Sequence, residues 1–71
     1  MIPTGRIDKD GRELFVGDKI RVPDNPDIVP YDDGIIVKNN GLFDKKFEFV
    51  FEGRVGIFPL EYYKNDEIEK L

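Results

Sequence analysis

The chain has 71 residues, of which 39% are hydrophobic and 37% charged, and its formal net charge is −4. It contains neither cysteine nor histidine, which excludes disulfides, Cys/His zinc sites and catalysis by a nucleophile paired with histidine. The length predicts one small domain over residues 1–71, and the apolar content is too high for a disordered segment.

Short runs of β-forming residues alternate with turn residues along the chain, which indicates an all-β domain. Asp10-Gly11 predicts a tight hairpin turn, because glycine tolerates the positive φ that such turns need. Ile20 and Val22 alternate with charged residues, so residues 19–22 are predicted to form a strand with one buried face. We expect that strand to end at Pro23.

The stretch from Asp24 to Asp33 is acidic, rich in proline and without any basic residue. Proline removes backbone donors and restricts the residue before it, so we expect an irregular loop of about ten residues. The two acids before Gly34 are typical of a turn with solvated carboxylates. The loop is either a solvated connection or an acidic surface that docks a basic patch on a protein partner. Its candidate binding residues are Asp24, Asp27, Tyr31, Asp32 and Asp33.

The second half of the chain continues the pattern of strands and turns. Asn40-Gly41 predicts another hairpin turn, and we expect Phe47, Phe49 and Phe51 to supply much of the core from one strand face. Pro59 is expected to open a short 3₁₀ or helical turn before a solvated acidic tail. About five short antiparallel strands favour a bent sheet that closes into a small SH3-like barrel.

The segment TGRIDKDGRELFVGDKI, Thr4–Ile20, resembles a recurring segment of the YopX family of phage and prophage proteins. That segment begins with a Thr-Gly pair, followed by an Asp and then a Gly. A basic residue, a Glu, an aliphatic residue and an aromatic residue come next, and a Gly-Asp pair precedes an aliphatic strand. The matching residues are Thr4, Gly5, Asp8, Gly11, Arg12, Glu13, Leu14, Phe15, Gly17, Asp18 and Ile20. The resemblance implies a β-rich accessory protein of phage or prophage origin, and it transfers no catalytic residues.

The segment GIFPLEYY, residues 56–63, is similar to the Gly-x-Phe-Pro-x-x-Tyr segment that ends many SH3 domains. Gly56, Phe58, Pro59 and Tyr62 take the places of that motif. In SH3 domains the Pro and the Tyr lie on the face that receives proline-rich peptides, so the similarity implies Pro59 and Tyr62 as binding residues. The chain lacks the tryptophan of the SH3 specificity groove. The alternative is a 3₁₀ turn that closes the barrel, with Tyr62 packed on its end.

The acidic residues do not have the spacing of a metal site or of a catalytic site. With Gly11 in the sixth position of an EF-hand loop, Arg6 and Gly17 occupy the first and twelfth positions, where carboxylates are required. No glycine-rich loop leads into a helix to hold phosphates. We therefore expect no metal, no cofactor and no enzymatic activity.

Two binding functions remain open at this point. The first is a protein-interaction module that presents the acidic loop and the aromatics around Pro59 and Tyr62 to an unidentified protein partner. The alternative is a nucleic-acid-binding barrel, with bases stacked on aromatic rings and phosphates held by lysines. Its candidates are Tyr31, Phe43, Tyr62, Tyr63, Lys38, Lys45 and Lys46. Without an apolar run long enough for a signal peptide or a membrane span, we expect a cytoplasmic monomer or homodimer in a bacterial host.

Overall fold

The computed structural model describes residues 1–24 and 30–71, and in these residues the chain forms strands and 3₁₀ helices but no α-helix. The all-β prediction is confirmed, with seven strands in the described residues where about five were expected. The strands are β1 (Pro3–Ile7), β2 (Glu13–Phe15), β3 (Lys19–Pro23), β4 (Tyr31–Lys38), β5 (Phe49–Gly53), β6 (Ile57–Pro59) and β7 (Glu69–Lys70). The two 3₁₀ helices are Leu60–Tyr62, at the position predicted from Pro59, and Asn65–Glu67.

The strands form two antiparallel sheets around one core. β1 and β2 are a hairpin, and the larger sheet has the order β6-β5-β4-β3-β7. β3 to β6 are consecutive neighbours, whereas β7 returns to the free edge of β3. The core takes side chains from both sheets and from the first 3₁₀ helix, so the elements close into a small barrel. Its fully buried members are Leu14, Ile20, Val22, Ile36, Phe51, Leu60 and Ile68.

The core confirms the predicted face of β3 but contains fewer phenylalanines than expected. Ile20 and Val22 are buried, as their alternation with charged residues predicts. Of the three predicted core rings, Phe51 is fully buried, Phe49 packs partly against the core and Phe47 is not part of it. The expectation for Phe47 is wrong because β5 begins at Phe49, so the alternation of the strand does not reach it.

The predicted turn at Asp10-Gly11 joins β1 to β2. The Asp8 N–H donates to the Arg12 carbonyl at 2.9 Å, and the Gly11 N–H donates to the Asp8 carbonyl at 3.0 Å. Gly11 has a φ of +80°, whereas Asp10 does not have a positive φ. The turn is therefore a three-residue loop with glycine in the left-handed position, and not the two-residue type I′ loop that needs positive φ twice.

The Asp8 side chain connects this turn to the last strand. Its carboxylate is buried; Oδ1 accepts the N–H groups of Asp10 at 3.0 Å and Arg12 at 2.8 Å, and Oδ2 accepts that of Lys70 at 3.0 Å. Burial alone would raise the pKa of Asp8, but these donors and the Arg12 guanidinium together lower it below its usual value. The expected solvated tail is wrong, because Ile68 is in the core and β7 is held by this carboxylate.

β4 extends through residues that the sequence places in a loop and turn. It begins at Tyr31, so the two acids before Gly34 lie in a strand and the predicted turn there is wrong. Gly34 lies opposite Gly53 on β5, and a Cβ at Gly34 would meet the Gly53 Cα and the Phe51 ring within 2.7 Å. The glycine therefore permits close approach of two strands over Phe51, which is a packing role.

Candidate functional site

The connection between β4 and β5, residues 39–48, is organised by one side chain. Asn39 Oδ1 accepts the Phe43 N–H at 3.0 Å, and Nδ2 donates to the carbonyl oxygens of Phe43, Asp44 and Phe47 at 2.8–3.0 Å. The predicted short hairpin at Asn40-Gly41 is therefore wrong, although Gly41 has the positive φ that the dipeptide favours. The side chain of Asn39 supplies the turn bonds that a shorter loop would make through its backbone.

Residues of this connection line an open cleft of about 590 Å³. Phe47, in the cleft wall, contacts the Tyr62 ring edge-on, with 6.2 Å between ring centroids. Tyr62 is 64% exposed and also lies beside Phe58. Three lysines line the same cleft as Phe47, and we refer to these lysines and the adjoining rings as the lysine–aromatic surface. Its members are Lys38, Phe43, Lys45, Lys46, Phe47 and Tyr62.

The lysines of this surface are not held in ion pairs, since none of the three forms a salt bridge within residues 1–24 and 30–71. The Lys46 ammonium lies 5.0 Å from the centre of the Phe47 ring, a cation–π distance. The connection itself is neutral, with Lys45 and Lys46 against Asp44 and Glu48, and Lys38 at the end of β4 adds one positive charge. This area is therefore less acidic than the protein as a whole.

Three of the predicted binding residues, Tyr31, Asp32 and Asp33, line a second open cleft of about 600 Å³ together with Arg21 and Arg54, but its acids are engaged in bonds within the chain. Asp32 is only 5% exposed, and its carboxylate accepts the backbone N–H groups of Arg54 at 3.0 Å and Val55 at 3.1 Å, which hold the turn from β5 to β6. The expectation that Asp32 is solvated is therefore wrong. Asp33 accepts two hydrogen bonds from Arg21, at 2.7 and 3.1 Å, and these bonds lower the pKa of Asp33 below its usual value. Asp24 is half-buried, and Asp27 lies outside the described residues.

The aromatic and proline candidates have different environments. The SH3 similarity implies that Pro59 contacts a ligand. Pro59 is instead fully buried opposite Val50, so its ring is not available for binding. Tyr63 is half-buried and packs edge-on against Phe51 at 5.7 Å, and burial raises its pKa to about 12, so its ring is engaged with the core. Tyr31 is 58% exposed and is the first residue of β4. The lysine–aromatic surface lies at the opposite end of that strand.

Sequence reasoning found the lysines, Phe43 and Tyr62, but it missed Asn39 and assigned Phe47 to the core. The cluster Asn39-Asn40-Gly41 followed by two lysines was the available signal for a structured basic loop. The exposure of Phe47 depends on where β5 begins. The alternation of Phe47, Phe49 and Phe51 suggested a strand that includes Phe47, whereas β5 begins at Phe49.

Residues 1–24 and 30–71 contain no cluster of metal-ligating side chains, since nowhere in them do three His, Cys, Asp or Glu side chains converge as a metal site would require. The helices among them are all too short and polar to cross a membrane. No family model, curated protein or solved structure matches this chain.

Proposed function

We propose that this protein is a non-enzymatic binding module whose lysine–aromatic surface binds single-stranded nucleic acid. The observation that carries the proposal is that three lysines, which form no salt bridge in the described residues, line one cleft with the partly exposed Phe47, whose ring contacts the exposed Tyr62. Aromatic rings stack on unpaired bases while ammonium groups follow the phosphates, and such binding tolerates many sequences. The Asn39 hydrogen bonds support the proposal, because they order the loop before a ligand arrives.

The acidic total charge does not oppose this function. At physiological ionic strength, the Debye length is about 8 Å, so charges farther apart than this are largely screened. The molecule extends 32 Å along its longest axis. A strand at the cleft therefore responds mainly to the charges near it, which are Lys38, Lys45 and Lys46 with Asp44 and Glu48, while acids at the far end of the molecule contribute little.

The protein-docking hypothesis has less support from the geometry. It requires a continuous acidic surface, but Asp32 is buried and Asp33 is neutralised by Arg21. One of the aromatic candidates of this hypothesis, Tyr62, lies in the lysine–aromatic surface and not beside the acidic residues. On the resemblance of Thr4–Ile20 we further propose a phage or prophage origin, with an accessory role in the cytoplasm of the bacterial host.

The experiment is a binding titration in which fluorescence anisotropy is the readout. The ligands are a labelled single strand of about 15 nucleotides and the matching duplex. We expect the single strand to bind more tightly, with an affinity that falls as salt rises. K45Q/K46Q should reduce the slope of log K against log salt by about 0.7 for each phosphate that the variant no longer neutralises. The control K9Q/K64Q removes the same charge outside the surface and should leave the slope unchanged.

A second pair of variants tests the stacking. Y62A should weaken binding roughly 5- to 150-fold, because stacking on one aromatic residue contributes about 1–3 kcal/mol. Tyr31 is similarly exposed but lies seven residues from Lys38 along β4, which is roughly 23 Å, so Y31A is the matched control. Equal binding by Y62A and Y31A, or no binding of the single strand at low salt, would refute the proposal.

A further inference from the structure

Phe58, on β6, adds a further ring beside the lysine–aromatic surface. Its ring centre lies 6.2 Å from that of Tyr62, and the two ring planes are inclined to each other by only 32°. Both side chains are accessible, with Phe58 at 39% and Tyr62 at 64% of full exposure. Two partly exposed rings of similar orientation therefore lie next to each other, outside the cleft that the lysines line.

The backbone around β6 fixes the position of the Phe58 ring. A Cβ on Gly56 would lie 2.7 Å from the nearest atom of this ring, so the ring rests against the backbone of the glycine. The turn that carries Gly56 is itself held by the buried Asp32 carboxylate, which accepts N–H groups from it. Tyr62 belongs to the 3₁₀ helix that directly follows β6. Both rings are thus ordered before a ligand arrives, which reduces the entropic cost of binding.

Phe47 is engaged differently from these two rings. The Lys46 ammonium lies 5.0 Å from the centre of the Phe47 ring, and the plane of this ring is nearly perpendicular to that of Tyr62, at 85°. A base that stacked on that face of Phe47 would have to displace the ammonium. Phe47 therefore supports Tyr62 with its side chain, whereas Tyr62 and Phe58 are the better pair for stacking.

We infer that Tyr62 and Phe58 each stack on one of two successive bases of a bound single strand, so that Phe58 is a binding residue beyond the cleft. The inference rests on the proposed function, because it takes the same strand as the ligand. In a duplex, the nucleotides of one strand follow each other at about 3.4 Å. The two ring centres are 6.2 Å apart, so bases stacked on them are separated from each other. A single strand permits this extension, whereas a paired strand resists it.

The anisotropy titration with F58A tests the inference. We expect F58A to weaken binding of the labelled single strand roughly 5- to 150-fold, and F58Y to retain binding, because F58Y keeps an aromatic ring. The slope of log K against log salt should stay that of the wild type, since Phe58 neutralises no phosphate. The control is I57A, at the neighbouring position of β6. Ile57 is similarly exposed, at 43%, but its side chain points to the opposite face of the sheet, so I57A should bind as the wild type does.

Two further measurements show whether Phe58 contacts a base. An abasic strand of the same length keeps the phosphates but offers nothing to stack on, so the wild type and F58A should bind it equally. The chain contains no tryptophan, so F58W supplies a single indole. The intact single strand should quench the fluorescence of F58W by stacking and should leave that of I57W, on the opposite face, unchanged.

The outcomes separate this inference from the proposed function. If Y62A weakens binding while F58A and I57A bind equally well, the proposed function stands and the role of Phe58 is refuted. The role is also refuted if F58A loses as much affinity for the abasic strand as for the intact one. A wild-type chain that does not bind the single strand refutes both. Circular dichroism shows whether each variant is folded, and the quenching of F58W decides the question if F58A is not.

Discussion

Replacement of Asp8 by asparagine tests how the barrel is closed. Oδ1 of Asp8 accepts the two N–H groups of the β1–β2 turn, and Oδ2 accepts the N–H of Lys70 in β7. Asparagine keeps an oxygen for the turn but places an NH₂ group against the Lys70 N–H, where two donors cannot pair. D8N should therefore preserve the turn and weaken the attachment of β7, which its pairing with β3 still holds.

The cost follows from the loss of one buried hydrogen bond to a charged group. Such bonds contribute about 1.5–3 kcal/mol, and the unpaired Lys70 N–H adds to the loss. A chain of this length has a free energy of unfolding of roughly 4–11 kcal/mol. A loss of about 2 kcal/mol should lower Tm by roughly 8–16 °C. D10N, at the exposed neighbouring position, is the control and should change stability by less than about 0.5 kcal/mol.

The stability difference between wild type and D8N should depend on pH in a defined direction. Because the pKa of Asp8 is lowered in the folded protein, its stabilising contribution is present above the unfolded pKa of about 3.9. That contribution is lost as pH falls through the lower folded value. The difference should therefore be full at neutral pH and should shrink in acid below about pH 4.

Urea unfolding at several pH values measures this difference, and hydrogen exchange of the Lys70 amide reports how firmly β7 is attached. D8N should exchange that amide faster, while the Arg12 amide keeps its protection. A difference in stability that is the same at all pH values would contradict the reasoning. An unchanged Lys70 amide would show that the carboxylate does not hold β7.

Two further substitutions test other parts of the structure. I68A should destabilise the fold by about 2–5 kcal/mol in urea unfolding, because Ile68 is a fully buried member of the core; the control L71A, at a half-exposed side chain, should cost much less. N39A should weaken binding of the labelled single strand and increase hydrogen exchange in residues 39–48, because it removes the hydrogen bonds that order the loop. N40A is its control, and equal binding by the two variants would argue against preorganisation.

Local patterns predicted the parts of the fold that neighbouring residues determine. The alternation of Ile20 and Val22 identified β3 and its buried face, and Asp10-Gly11 identified the first turn. Pro59 correctly indicated a 3₁₀ helix. In each case, steric preference or side-chain alternation over a few residues decides the structure.

Features that depend on distant partners could not be predicted in the same way. Asp32 is buried because backbone N–H groups more than twenty residues later surround its carboxylate, whereas its own neighbours suggested a solvated turn. Ile68 follows a run of acidic residues, and only pairing of β7 with β3 brings it into the core. The candidate site shows the same limit, since the loop that carries Phe47 is ordered by hydrogen bonds from Asn39, eight residues earlier.

The hydrogen bond between Asp8 and Lys70 also has a kinetic meaning, because it joins positions 62 residues apart. Contacts of such long sequence separation form slowly, and barrels dominated by them fold in milliseconds to seconds rather than microseconds. Without β7, the edge of β3 would present unpaired backbone groups beside the core residues Ile20 and Val22. Such an edge can pair with another chain, so the bond that holds β7 also protects the sheet from self-association.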